Sequence, residues 1–586
     1  MLVTGRFGPN LSMGGDLQER ELRVAVKGGV LYCRPTSEHA APFAYLQHAP
    51  NGNFLCITGT PIHLKQLELA TALEEIVPLD SDAASERLCG FDGGFAFIHW
   101  DAQHRVLTVV TDFLGAQPLF MSRTAGELLL SSTLQGLVQR GWVKNEPDPQ
   151  AWGCYLVMGH TLGERSLLRG VERVPAATVL RYQVANDSLH MQRYWPWPDP
   201  APQITLERAD LAGVFATLDR SVLGYLSYGR PGCLLLSGGF DSRVLMYLLN
   251  HHRVPAKTLI VRHPNEAGDA DGLFAMAAAK REKLSYEFLA PPGAFFDSEP
   301  FREYLRRTEF ANPALQLFIP RLIHALDPSA GAVWDGLGPQ LMRAPKVPLQ
   351  NFAAYAKPVF AKAERFLGPK AATPFSRGWQ EAMYEGFHQA FRHESAQHSD
   401  DEFGIMAFII RNRTRIRIAA NPYCAWQQEM LPFTPGLTRE YLGYAATLSS
   451  KCKGTHELLA EVFRRYMPNA LKTPFISGGT LYNLSGRPNA LHSLAHMHDW
   501  IDRRSTLTWA LAKLRLRPWT ADEKIPLPAA EECGRDSFLD LKGTETSALP
   551  LYAQRQLFYW RHAENFFGSP RTAELSAQER AAAMSV

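Results

Sequence analysis

The stretch CLLLSGGFDSRVLMYLLN, residues 233–250, decides the fold of the second half of the chain. Its four leading residues are apolar and predict a buried strand, the Ser-Gly-Gly that follows predicts a turn, and the later apolar residues recur at helical spacing. Residues 256–261 and 273–284 repeat this order of strand and helix. Strands that alternate with helices indicate a parallel α/β sheet, in which ligands bind at the carboxyl ends of the strands. We therefore expect residues 237–242 to form a ligand-binding loop.

The composition of this loop is typical of a phosphate site. Gly238 and Gly239 let the backbone approach an anion closely, and the amides and dipole of the following helix add positive potential. The hydroxyls of Ser237 and Ser242 can donate hydrogen bonds to phosphate oxygens. Asp241 would repel a phosphate unless a cation lay between them, so this residue implies Mg²⁺. The alternative is a tight turn in which Asp241 only caps the helix. A Walker loop is excluded, because Gly-x4-Gly-Lys-Ser/Thr does not occur in this stretch.

The chain has 586 residues, with 61 Lys and Arg against 58 Asp and Glu and a formal net charge of +3. This length predicts two or more hydrophobic cores. The balanced charge gives no reason to expect nucleic acid or a membrane surface as a partner, and no apolar run reaches the roughly 18 residues of a membrane span. The first residues lack the features of a secretion signal, and the eight cysteines form no CxxC pair. We expect a cytoplasmic protein with reduced thiols.

A proline-rich segment, RYWPWPDPAPQ at residues 193–203, divides the chain into parts of about 1–195 and 205–586. Its four prolines exclude a helix or a central strand, so we expect an extended linker.

The two parts differ in their predicted secondary structure. The first part is predicted to be mainly β, with strands at 93–101, 105–112 and 127–133. The second part opens on a predicted helix at 206–226, and helical patterns dominate from about residue 350.

Four stretches carry a family resemblance. The loop SGGFDS resembles the signature of the pyrophosphate-loop ATP pyrophosphatases, which cleave ATP between the α and β phosphates. Residues 88–133 resemble the N-terminal domain of asparagine synthetase B, and 163–182 and 430–475 are similar to later segments of that family. The residues that match its N-terminal pattern are Gly94, Phe95, Ala96, Phe97, Trp100, Asp101, Asp112, Gly115, Pro118 and Leu119.

This resemblance implies an α/β protein with two domains. Residues 1–195 would be an Ntn-hydrolase-like, β-rich sandwich of the glutamine amidotransferase type 2 class. Residues 205–586 would be an α/β ATP-pyrophosphatase domain, like the adenine nucleotide α-hydrolases, with added helices. The resemblance further implies ATP and Mg²⁺ as cofactors and the adenylation of a carboxylate.

The start of the chain departs from the glutamine-dependent members of this family. Those members use an N-terminal cysteine as the amidase nucleophile, with its own amine as base. Here the sequence begins Met-Leu-Val-Thr, so Leu2 stands where that cysteine is expected and Thr4 carries the nearest hydroxyl. We expect an amidotransferase fold that does not hydrolyse glutamine, with the amine coming from free ammonia or from the substrate.

Three groups of this architecture have lost the cysteine, and they define the alternatives. β-Lactam synthetases, carbapenam synthetase and lasso peptide cyclases adenylate a carboxylate and close a ring with an internal amine. The length and the Leu-rich segment 159–171 resemble the lasso cyclases more closely. This resemblance implies a precursor peptide as substrate and a leader peptidase as a possible partner. An ammonia-using synthetase and a non-catalytic peptide-binding scaffold are the other open interpretations.

Two further residues and one basic segment are candidates by position. Asp271 lies four residues before Ala275, where the family has an acidic residue near the magnesium pyrophosphate; an acid that interacts with the helix dipole is the alternative. Lys472 stands where the family has a lysine that approaches the adenylate. The alternative is a solvated lysine with no such role. The run RNRTRIRI at 411–418 can bind a carboxylate or phosphates, or form a solvated helix face.

Residues 332–341 align with the family's Gly-x-Gly-x-Asp-Glu. Gly336 matches this pattern, whereas Gln340 stands where the family has a metal-binding Asp. By this resemblance, Asp335 is the substitute for the metal-binding Asp expected at position 340. Asp241 and Asp335 are therefore the candidate metal ligands. A simple strand-end turn is the alternative for Asp335. Leu337 stands where β-lactam synthetases have a catalytic Tyr, which argues against that group.

Overall fold

A computed structural model describes most of the chain at the level of elements and contacts. The described residues are 2–9, 21–34, 45–63, 87–195 without 125, 205–261 without 206, 208 and 229–231, 270–289, 299–311, 328–336, 350–449, 457–468, 475–477, 480–482, 549 and 551–567. Most of the predicted linker, residues 196–204, lies outside these ranges, so the division at that point stays a prediction.

The first part of the chain forms two six-stranded antiparallel sheets, in the orders β10-β8-β9-β1-β3-β2 and β12-β11-β7-β6-β5-β4. The strands are β1 (Leu2–Phe7), β2 (Leu22–Val26), β3 (Gly29–Arg34), β4 (Tyr45–His48), β5 (Phe54–His63), β6 (Phe91–Asp101), β7 (Val106–Thr111), β8 (Phe120–Thr124), β9 (Glu127–Ser131), β10 (Glu172–Arg173), β11 (Thr178–Gln183) and β12 (Ser188–Arg193). The three strands predicted from the sequence correspond to β6, β7 and β9, so the expected β-rich sandwich is confirmed.

Strand β6 shows how the sandwich is packed. Alternate side chains of a strand point to opposite faces, and here both faces are apolar. Ala96, Ile98 and Trp100 belong to the core between the two sheets. Phe95 and Phe97 belong to a second apolar cluster, where their rings stack with centroids 4.5 Å apart. The strand is therefore buried on both faces.

The second part contains a five-stranded sheet in the order β15-β14-β13-β16-β17, and all its neighbouring strands are parallel. Its strands are β13 (Cys233–Leu235), β14 (Lys257–Val261), β15 (Tyr286–Leu289), β16 (Ala332–Trp334) and β17 (Leu431–Phe433); β18 (Phe475–Ser477) and β19 (Thr480–Tyr482) form a separate hairpin. The predicted parallel α/β sheet is confirmed. The strand order reverses between β13 and β16, so the carboxyl ends of these two strands form the topological switch point.

The described helices lie mainly in the second part. They are α1 (Leu134–Gln139), α2 (Pro149–Met158), α3 (Leu211–Leu226), α4 (Phe240–His251), α5 (Ala270–Arg281), α6 (Glu299–Thr308), α7 (Phe352–Leu367), α8 (Arg377–Ser395), α9 (Glu402–Ile409), α10 (Arg439–Thr447), α11 (Glu457–Tyr466) and α12 (Leu551–Phe567). Ile410–Ile418 and Asn421–Ala425 are π-helical, and Val184–Asn186, Pro328–Ala330, Trp426–Gln428 and Pro435–Leu437 are short 3₁₀ turns. None of the described helices is both long and apolar enough to cross a bilayer.

Two helices begin or end a few residues away from their predicted bounds. Helix α3 begins at Leu211 rather than at residue 206, because the Asp210 carboxylate caps it by accepting from the Ala212 amide at 3.1 Å. Helix α5 ends at Arg281, and Lys283 then adopts a left-handed φ of 58° that cannot continue a helix.

Two buried carboxylates join the two parts of the chain, because each one caps a helix that belongs to the other part. Glu309, after α6, accepts from the amides of Leu134 and Gln135 at the start of α1, both at 2.8 Å. Asp92, on β6, accepts from the amide of Arg439 at the start of α10 at 2.9 Å. Each carboxylate satisfies helix amides that would otherwise be buried without an acceptor.

Burial changes the acidity of both carboxyl groups. It raises the pKa of Asp92 to about 6 and that of Glu309 to about 7, although the amide hydrogen bonds act in the opposite direction. Asp112, which anchors the loop after β7 by accepting from four backbone amides, has its pKa raised to about 6 by burial too.

The basic run at 411–418 contributes a third connection. Arg415 is 4% exposed and forms an ion pair with Glu164 at 2.6 Å. Its guanidinium also donates to the carbonyl oxygen of Val174 at 3.0 Å. This arginine is therefore neither on a solvated face nor free to bind a ligand, because it is used to hold the two parts together.

Glu309→Gln is expected to change the pH dependence of stability. The unfolded glutamate ionises near 4.5 but the folded one only near 7, so the folded chain holds one more proton between these values and wild type loses stability as pH rises through this window. The loss amounts to about 3 kcal/mol for a shift of this size. Thermal unfolding midpoints between pH 4.5 and 8 would show a steeper decline for wild type than for Glu309→Gln.

The exposed Glu381→Gln variant is the matched control and should follow the wild-type profile. Parallel profiles for wild type and Glu309→Gln would contradict this assignment.

Candidate functional site

The predicted loop at residues 237–242 lies at the carboxyl end of β13, beside the switch point, and its last three residues form the first turn of α4. Strand pairing continues through Leu236, whose amide donates to the Leu259 carbonyl at 2.9 Å. Gly239 is the N-cap of α4, and the apolar face of that helix is buried from Phe240 onward. The predicted strand, turn and helix over residues 233–250 are thus confirmed. The positive end of the α4 dipole faces the loop, which is an arrangement that favours anions.

The two loop serines hold the loop in shape. The hydroxyls of Ser237 and Ser242 lie 2.9 Å apart, and the Ser237 amide donates to the Ser242 hydroxyl at 3.0 Å. The Gly239 amide donates to the Ser237 hydroxyl at 3.2 Å. In this state the hydroxyls bond to each other and to the loop backbone, and their expected donation to phosphate stays a prediction.

A second loop, after β16, meets the first. A Cβ atom on Gly336 would lie 2.6 Å from the Cα and 2.9 Å from the amide nitrogen of Ser242, closer than real side chains approach backbone. The absence of a side chain at Gly336 is what lets the two loops touch. The structure therefore brings Asp335 and Gly336 against the first turn of α4, which carries Asp241.

Asp335 is held firmly in this second loop. It is 9% exposed, and its Oδ2 accepts from the Trp426 indole nitrogen at 3.0 Å. Its amide donates to the carbonyl of Phe433 in β17 at 3.0 Å. A buried carboxylate in this position can carry charge at the switch point, and the indole fixes its orientation.

Two residues beside the loop were missed from the sequence. Tyr441 on α10 is fully buried, its hydroxyl has no hydrogen-bond partner among the described residues, and burial and the charge of Asp241 raise its pKa well above the ordinary value. Arg243 on α4 is 1% exposed and donates to the Phe274 carbonyl at 2.9 Å. The sequence did contain a signal for Arg243, which is an arginine inside an apolar helical run. It contained no signal for Tyr441.

The remaining candidates are placed in part or lie beyond the described residues. Asp271 is in the first turn of α5, as expected, but only its backbone is described. Lys472 and Gln340 lie outside the described residues, so their roles stay predictions.

The beginning of β1 borders a polar cavity of about 150 Å³ between the sandwich and α6. Leu2 and Thr4 line this cavity, together with Arg140, whose guanidinium lies 3.6 Å above the ring of Tyr32. The Thr4 hydroxyl is 3.1 Å from that of Ser131, in a buried contact. Strand β1 itself contains no cysteine.

Two cysteines in the first part of the chain, Cys56 and Cys154, are poorly suited to act as nucleophiles. The Sγ atoms of Cys33 and Cys56 lie 3.8 Å apart in the core, and this contact and burial raise the pKa of Cys56 well above its ordinary value. Burial also raises the pKa of Cys154. Both groups are therefore neutral thiols, and the thiolate is the reactive form. Cys89 lies 3.9 Å from the Tyr194 carbonyl oxygen.

Comparison with known proteins gives a match to one part of the chain. Residues 73–195 match the family model of a glutamine amidotransferase domain. The amidase chyE of Penicillium rubens is 26% identical over 157 residues, which are 26% of this chain, and the chain spans 22% of the length of that relative.

Two solved structures are similar at a TM-score of 0.20. The allosteric regulatory enzyme of purine biosynthesis is 13% identical, with 45% of this chain and 51% of that chain covered. The glutamine phosphoribosylpyrophosphate amidotransferase from B. subtilis, complexed with ADP and GMP, is 11% identical, with 58% and 77% covered. The family match and the two-sheet sandwich support an amidotransferase-type domain in the first part of the chain.

Gly336→Ala is expected to destabilise the protein, because the new methyl group would meet backbone of α4 rather than a movable side chain. Overpacking of this kind costs about 1–3 kcal/mol, so the thermal unfolding midpoint should fall. Gly443→Ala, in α10, is the matched control, because nothing lies within 4 Å of its Cβ position. It should be neutral or slightly stabilising. Equal midpoints for the two variants would argue against contact between the loops.

Proposed function

We propose that this protein is an ATP-dependent amide-bond synthetase that cyclises a peptide. It would adenylate a side-chain carboxylate of a precursor peptide and close a macrolactam with the peptide's N-terminal amine, as lasso peptide cyclases do. The observation that supports this proposal best is the contact between the loop 237–242 and Gly336 at the switch point of a parallel sheet. The amidotransferase-type first domain and the likeness to an amidase are in keeping with chemistry on amide bonds.

The reaction consists of two displacements. A carboxylate oxygen of the peptide attacks the α-phosphorus of ATP, the α–β phosphoanhydride bond breaks, and pyrophosphate leaves. The neutral N-terminal amine then attacks the acyl carbon, the acyl–phosphate bond breaks, AMP leaves, and the amine loses a proton. Because both reacting ends belong to one bound peptide, alignment can contribute about 7 kcal/mol or more.

The residues of the chain have separate tasks in this reaction. The backbone around Gly238 and Gly239 and the start of α4 would hold the departing phosphates, while Ser237 and Ser242 keep the loop in shape. Lys472 would approach the α-phosphate and the oxyanion formed during amine attack, where a positioned donor is worth about 3 kcal/mol.

The donors at the switch point fit a magnesium ion. Asp241 and Asp335 would supply carboxylate oxygens, which are the ligands that Mg²⁺ prefers. Held there, Mg²⁺ would neutralise the negative charge on the phosphates. Asp271 would support the same region from the first turn of α5.

The first domain bears on the proposed source of the amine. Strand β1 contains no cysteine and the core thiols Cys56 and Cys154 are kept neutral, which supports an amine from the substrate rather than from glutamine. The first domain would then shape the substrate entrance. The expected partners are the precursor peptide and a leader peptidase.

A non-catalytic peptide-binding scaffold is the second candidate. The hydrogen bond from Trp426 to Asp335 favours it, because the indole already occupies one oxygen of a proposed metal ligand. An ammonia-using or small-ring synthetase differs from the main proposal only in its substrates.

Asp241→Asn is expected to lower peptide-dependent ATP–pyrophosphate exchange by about 100-fold or more, because it removes a carboxylate that would hold Mg²⁺ against the phosphates. Glu381→Gln, on the exposed face of α8, should leave exchange unchanged. Unaltered thermal unfolding would confirm that both variants are folded. Exchange that persists in Asp241→Asn would contradict the assigned role, and no exchange by wild type with acidic peptides would favour the scaffold.

The amine source can be tested with one acidic peptide in two forms. The peptide with a free N-terminus should give AMP and a product lighter by one water, whereas the N-acetylated peptide should give no cyclic product. Glutamine should not be hydrolysed to glutamate. Formation of asparagine from aspartate and ammonium would instead support the ammonia-using alternative.

A further inference from the structure

A cluster of three metal-binding side chains lies at the end of α4 that is remote from the phosphate loop. Asp219 on α3, His251 at the last position of α4 and His252 just after it each offer one donor atom, and these atoms all lie within 4.8 Å of one another. We propose that this triad binds a divalent transition-metal ion of the zinc class, at a site separate from the switch point.

The donor types decide the class of metal. Two imidazoles and one carboxylate suit zinc and related ions, whereas Mg²⁺ prefers oxygen ligands alone. Three protein ligands leave one position of a tetrahedral zinc ion for water or another small ligand. The triad is therefore chemically distinct from the carboxylates of Asp241 and Asp335.

The geometry requires only side-chain rotation. The Nε2 atom of His252 lies 2.5 Å from Oδ1 of Asp219. Around a tetrahedral zinc ion with bonds of about 2.0–2.1 Å, donor atoms lie about 3.3 Å apart. The close pair must open by less than about 1 Å, and the most distant donors must approach by at most about 1.5 Å. His251 is exposed at the helix end, so its ring can turn towards the other two.

Neighbouring groups favour a cation at this place. The carbonyl end of α4 carries partial negative charge, which adds to that of the carboxylate. Arg220, the residue next to Asp219, forms an ion pair with Glu440, which offsets its positive charge.

The metal would join two helices that pack on the parallel sheet. A helix of 12 residues such as α4 is about 18 Å long, so the triad is remote from the loop at its start. Binding would tie α3 to α4 and stabilise the folded chain. This inference does not depend on the proposed synthetase activity, and its test involves neither ATP nor a peptide.

The test uses the full chain, stripped with a chelator and titrated with zinc chloride in a calorimeter. Wild type should bind one zinc equivalent that His251→Ala and Asp219→Asn either lose or bind at least about 10-fold more weakly. Zinc should also raise the thermal unfolding midpoint of wild type more than that of either variant.

His104→Ala is the matched control. The ring of His104 and the carboxylate of Asp101 form a similar pair at 2.7 Å. Within the part of the chain that the structure describes, no third donor side chain completes this pair to a triad. The variant should therefore bind zinc as wild type does.

Two results would overturn the proposal. One is equal zinc binding by wild type, His251→Ala and Asp219→Asn, and the other is an equal loss of binding in His104→Ala. Either result would leave the triad as an ordinary hydrogen-bonded pair with a neighbouring histidine.

Discussion

The exchange of buried carboxylate caps between the two parts of the chain is the interaction on which the rest of the structure depends. Asp92, on β6 of the sandwich, caps the start of α10, and Glu309, in the second part, caps the start of α1. Helix α10 carries Tyr441, whose buried hydroxyl lies near Asp241. Through this cap the sandwich helps to position a helix that borders the loop at residues 237–242. Burying a carboxylate is costly, and only the paired amides make it tolerable.

The candidate site depends on a second constraint, which is the closeness of two loops. Strands β13 and β16 are neighbours, so their following loops start side by side, but Gly336 is what allows contact with Ser242. Each loop is also held by a hydrogen bond of its own: the hydroxyls of Ser237 and Ser242 bond to each other in the first loop, and the Trp426 indole donates to Asp335 in the second. A site of this kind is preorganised before any ligand binds, which is what electrostatic stabilisation requires.

Features with a local signature could be predicted from the sequence, and features made by distant residues could not. The strand, turn and helix over 233–250 were predicted correctly because apolar spacing and glycines are local signals. The roles of Asp92 and Glu309 escaped prediction, because each carboxylate finds its partner more than 170 residues away. Arg415 looked like part of a solvated or ligand-binding face for the same reason, since Glu164 lies 251 positions earlier. Likewise, nothing near His251 and His252 in the sequence points to Asp219.

The reciprocal caps also affect the order in which the chain can fold as it is synthesised. Helix α1 is complete in sequence by residue 139, yet the carboxylate that caps it appears only at residue 309. The partner of Asp92, the amide of residue 439, is made later still. Domains usually fold as units during synthesis, with the N-terminal one first. Here the two caps can form only after most of the second part has been made, so the first part lacks these contacts through much of translation.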